Sequence, residues 1–108
     1  MKDMSCIYKV FSETTSPNFV KKNDYANKYF LLCVEKWANH KLVREGYLTL
    51  NDLLLWLGYD EDERYCMLGW DITKEHSYDS VNIDVYPFPE LGEGALVLVF
   101  NCKVVDYL

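Results

Sequence analysis

Residues 24–46 read DYANKYFLLCVEKWANHKLVREG, and within them Ala26, Phe30, Cys33, Val34, Trp37, Ala38 and Leu42 recur at three- and four-residue steps. That spacing lays apolar side chains in one stripe along a helix, and it predicts a helix over Asp24–Glu45. Asn23 or Asp24 can cap its amino end, Lys41 and Arg44 suit the negative end of its dipole, and Gly46 can take the left-handed turn that stops it. Trp37 is expected in the core, with Glu35, Lys36 and His40 on a solvated face. Downstream, Thr49 with Asp52 three residues later starts a second, short helix, Leu50–Leu57, which Gly58 closes. Leu50, Leu53, Leu54 and Leu57 share its inner face, and Leu55 and Trp56 widen the apolar surface, so Trp56 is expected to be buried or in an interface.

Past Asp60-Glu61-Asp62-Glu63 the periodicity changes from helical to two. Tyr65–Asp71 and Val81–Tyr86 alternate as strands do and are expected to pair as an antiparallel hairpin across the polar segment Thr73–Ser80. Pro87–Gly94 reads as a loop, because proline lacks the ladder donor and its glycines favour turns. Ala95–Phe100, apolar on both faces, reads as a central strand, followed by a bend at Asn101–Lys103 and a last strand from Val104. Upstream, Ser5–Phe11 reads as a strand and Ser12–Asn18 as a loop, so residues 1–18 form either an edge strand or a flexible arm. Helices grouped ahead of a strand meander predict one α+β domain over residues 1–108, with an antiparallel sheet of three to five strands packed on one long and one short helix.

A chain of 108 residues that is half hydrophobic and 16% aromatic is well able to build one core and lies outside the disordered regime. It has no stretch long and apolar enough to serve as a signal peptide or to span a bilayer, which makes a soluble, cytoplasmic protein the expectation. Cys6, Cys33, Cys66 and Cys102 lack any close pairing with each other or with His40 and His76. They read as reduced, buried thiols, with no metal or other cofactor expected.

Charge is divided unevenly. Residues 1–50 carry eight Lys and Arg against five Asp and Glu, whereas residues 51–108 carry three against twelve, within a net charge of −6. No nucleophile elbow, phosphate-cradling loop or ligand cluster accompanies that asymmetry, so the chain does not read as an enzyme. DNA reading by a helix-turn-helix is set aside too, since Leu50–Leu57 carries Asp52 and neither Lys nor Arg. What stands out is an acidic surface. Asp60, Glu61, Asp62, Glu63, Asp71, Glu75, Asp79, Glu90 and Glu93, with Tyr59 and Phe88 as aromatic anchors, are the candidate partner-binding residues. Such a surface can occupy the groove of a basic, nucleic-acid-binding protein without touching nucleic acid or membrane itself. Self-assembly through the surface around Trp56 is the alternative, and a small-ligand enzyme built on His40 or His76 ranks last.

The signatures Trp37-Ala38-Asn39, Gly46-Tyr47-Leu48, Leu50-Asn51, Leu57-Gly58, Gly69-Trp70, Asn82-Ile83-Asp84 and Val99-Phe100-Asn101 resemble an uncharacterised domain of small phage and prophage proteins from Gram-positive (Firmicutes) bacteria. The resemblance runs from Asn27 to Asp106 and rests on turns, caps and core positions. It implies a shared fold and a viral or mobile-element accessory protein acting in the bacterial cytoplasm, with inhibition of a CRISPR-type defence effector as the matching activity. It brings no catalytic residues.

Overall fold

A computed structural model describes residues 7–73 and 80–104. Helix α1, Asp24–Glu45, has the predicted bounds: the Asn23 side chain accepts from the Ala26 N–H, and Gly46, at φ +88°, donates its N–H to the Leu42 carbonyl. Its inner face differs from the predicted stripe. Asn27, Leu31, Val34, Ala38 and Leu42 are buried, Ala26, Phe30 and Cys33 lie at the margin, and Trp37 is 59% exposed rather than in the core. The cause is that α1 is apolar on two opposite sides, so periodicity alone admits two stripes. Asn27 settles which is inside, because its amide takes up both backbone groups of Val20 (Val20 N to Oδ1 2.8 Å, Nδ2 to Val20 O 2.9 Å). Glu35 also leaves its expected solvated face: its carboxylate accepts from the Ile83 N–H at 2.8 Å.

Helix α2, Leu50–Leu57, begins where Thr49 Oγ1 accepts from the Asp52 N–H and ends at Gly58, at φ +100°. Leu50, Leu53, Leu54 and Leu57 are fully buried. Trp56 is half-buried, with the Lys41 ammonium 5.7 Å from its ring centroid.

The strands divide into two three-stranded antiparallel sheets. In the first, β5 (Leu96–Phe100) lies between β1 (Ile7–Phe11) and β4 (Ile83–Pro87), pairing Phe11 and Pro87 with Leu96. In the second, β3 (Leu68–Asp71) lies between β2 (Tyr47–Thr49) and β6 (Lys103–Val104). Residues 7–11 are thus an edge strand and not an arm. The expected hairpin between the strand ending at Asp71 and that around Ile83 does not form, since the two belong to different sheets. A long connection does not force its flanking strands together, whereas the Pro-Gly segment read as a mere loop closes the hairpin β4–β5 through a Phe88 N–H to Ala95 O bond of 3.0 Å. The strand expected from Tyr65 starts later, after a 3-10 turn at Glu63–Tyr65.

All four residues of β3 are buried, which suits a middle strand. Leu48 and Trp70 of the second sheet, Phe11, Leu98 and Phe100 of the first, Leu31 and Leu42 of α1 and Leu50, Leu53, Leu54 and Leu57 of α2 form one continuous core. Phe11 stacks on Phe30 at 5.9 Å and meets Phe19 edge-on at 5.5 Å.

Asparagine side chains fasten the remaining backbone. Asn39 exchanges bonds with Val81 (2.6 and 3.0 Å), and Asn51 does the same with Asp62 (2.9 and 3.1 Å). Asn101 accepts from Trp70 Nε1 and from the Asn82 N–H and donates to the Ser80 carbonyl. In each case an amide stands in for a strand neighbour, pairing backbone groups outside the ladders.

Candidate functional site: an acidic loop beside a strand edge

The loop that follows α2 runs along the outer edge of β1. Tyr59, half-buried, donates its hydroxyl to the Val10 carbonyl, which also accepts from Thr15 Oγ1 at 2.7 Å. Burial pushes the Tyr59 phenol well above its ordinary range, so it stays a donor. An open cleft of about 590 Å³ lies here, lined by Tyr8, Lys9, Val10, Thr15, Tyr59 and Tyr65. The Lys9 ammonium sits 5.2 Å from the Tyr59 ring centroid and 5.9 Å from that of Tyr65. Neither a histidine nor a carboxylate lines this cleft; its titratable groups are Lys9 and the three tyrosines.

The carboxylates above it have different roles. Asp62 is internal to the loop: its oxygens take Arg64 Nη2 at 2.6 Å and Nε at 3.0 Å, together with the Arg64 N–H at 2.9 Å. These bonds from Arg64 hold its carboxyl well below the usual range, at about 2. With its backbone held by Asn51, Asp62 is the rivet that shapes the loop. Asp60, Glu61 and Glu63 project into solvent, and among the described residues none of them makes an ion pair.

A second group stands on the β4–β5 turn, where Phe88 is 42% exposed and Glu90 and Glu93 face water. Glu93 borders a shallow hollow that also includes Glu13 and Lys21, which pair with each other at 3.7 Å. The remaining candidates separate from these. Asp71 is buried, not water-facing, and its Oδ1 accepts from the Thr73 N–H and hydroxyl. Glu75 and Asp79 lie outside the described residues, as does His76, while His40 is exposed on α1.

Sequence reasoning missed the outer face of α1. Tyr25, Tyr29, Leu32, Trp37 and Val43 are all more than half exposed there. The signal was present in the apolar residues left over once one stripe had been assigned.

The fold and these surfaces define a small α+β domain with two exposed faces of different chemistry, one acidic and one aromatic, and no helix among the described residues is long and apolar enough to cross a membrane. The chain belongs to a family of unknown function, DUF6353, which matches residues 2–108. Comparison with curated proteins and with solved structures gives no match.

Proposed function

We propose that this protein is a non-enzymatic binding module whose acidic loop occupies a basic surface of a partner protein. Asp60, Glu61 and Glu63 are the core of that contact, and Phe88, Glu90 and Glu93 extend it. The observation that carries the reading is the loop's bonding: three exposed carboxylates, none in an ion pair among the described residues, stand on a backbone held by Asn51 and by the Asp62–Arg64 pair. Loops that only solubilise need no such clamp, whereas a preorganised anion array binds with less ordering cost and speeds encounter with a cationic partner. A nucleic-acid-binding protein is the partner class with a matching groove. The resemblance to phage and prophage proteins supports reading it as an accessory protein of a mobile element that acts in the bacterial cytoplasm and inhibits a defence effector of the CRISPR type. Small-ligand catalysis ranks below this reading, because neither a histidine nor a carboxylate lines the cleft beside β1.

The test is affinity capture from a bacterial host after nuclease treatment, followed by a salt series on the captured complex. A protein partner that survives nuclease, binds more weakly as salt rises and loses about tenfold or more affinity when Asp60, Glu61 and Glu63 are changed to Lys is the expected result. Binding indifferent to salt or to that triple reversal overturns the proposal.

A further inference from the structure

The outer face of α1 has no counterpart in a helix that serves only its own core. Tyr25 is 82% exposed, Val43 73%, Tyr29 60%, Trp37 59% and Leu32 54%. Tyr25, Tyr29, Leu32, Lys36 and Val43 follow one another at steps that keep them on a single line along the helix, with Trp37 on its flank. We propose that this line is the interface of a homodimer, in which α1 packs antiparallel against α1 of a second copy.

A second copy can cover the stripe across a twofold axis. Tyr25 and Val43 each lie nine residues from Val34, and Leu32 and Lys36 each lie two from it. A twofold axis opposite Val34 therefore sets each Tyr25 ring against Val43 of the second copy and each Leu32 against the Lys36 stem, whose ammonium reaches water at the rim. Antiparallel packing also opposes the two helix dipoles favourably. The area is sufficient. With aromatic side chains carrying about 150–250 Å² each, the five exposed residues offer on the order of 600 Å², at the top of the range for a monomer's largest apolar patch. Lys36 and His40 bring this close to the roughly 800 Å² per partner of a standard interface. A lipid surface fits less well, since a chain of net charge −6 is repelled by anionic headgroups and Lys36 interrupts the middle of the stripe. This inference is independent of the acidic loop.

Sedimentation equilibrium of the whole chain, from low micromolar to high micromolar concentration, is the experiment. The expected mass rises from 12.7 kDa towards twice that value. Tyr29→Glu combined with Leu32→Glu should raise the dissociation constant at least about tenfold with helical circular dichroism intact, because both positions are exposed. Lys36→Leu should lower the dissociation constant, and it decides the matter if the double variant fails to fold. A mass of 12.7 kDa at every concentration, or a dimer indifferent to these variants, overturns the inference. Stripe-dependent co-sedimentation of a monomer with anionic vesicles also overturns it, in favour of a lipid surface.

Discussion

At the scale of single residues, the side chains that define this protein are short amides and one clamped carboxylate. Asn39 is the clearest case, because it occupies both backbone groups of Val81, itself only 2% exposed. Asn39→Ala leaves those groups without their partner, and we expect a loss of about 2–3 kcal/mol, read as a lower urea midpoint with unchanged slope. None of this was visible in the sequence. Asn27 and Asn39 fasten backbone seven and forty-two residues away, and a polar residue on a helix gives no sign of such a partner. Once the contacts are known, Trp37-Ala38-Asn39, Leu50-Asn51 and Phe100-Asn101 each turn out to end on a structural clip, which explains those signatures as features of the fold. Asp62 allows a test by titration. Its carboxyl should titrate at about 2 by carbon NMR, and Arg64→Ala should return it towards 3.8. Because the folded value lies below the unfolded one, the pair's contribution to stability is complete above the ordinary carboxylate range and disappears as pH falls towards 2.

Among secondary-structure elements, helices were legible and strand partners were not. Capping residues and helical spacing are local, so Asp24–Glu45 and Leu50–Leu57 could be read directly. Which strand lies beside which depends on contacts across the whole chain. The three-residue strand β2 is too short to show a period in the sequence, yet it supplies one of the two neighbours of β3. Gly69 marks their junction. A Cβ there would lie 2.2 Å from the Leu48 carbonyl oxygen and 2.9 Å from Thr49 Cα, both backbone atoms that cannot rotate away. Gly69→Ala should therefore cost about 3 kcal/mol, seen as a lower midpoint in thermal melts, although alanine is ordinarily mild in a strand. The outer stripe of α1 belongs to this scale as well: the residues were plainly apolar, but periodicity could not say which of two faces the sheets would cover.

For the molecule as a whole, the uneven charge was legible and its spatial arrangement was not. The structure separates the acidic residues into the loop after α2 and the β4–β5 turn, takes Asp71 inside and neutralises Asp62 within its own loop. Three carboxylates at the edge of β1 remain the strongest surface, and the opposite sign of the α1 stripe, with Lys28, Lys36 and His40, gives the molecule two faces of different chemistry. The hydroxyls of Tyr59 and Thr15 on the Val10 carbonyl acquire a meaning in that setting. An edge strand is an invitation to polymerise, because its spare carbonyls and amides can template a neighbouring chain into an endless sheet. Here the acceptor in the second half of β1 is already taken by two side chains, which makes this edge a poorer template for a neighbouring chain.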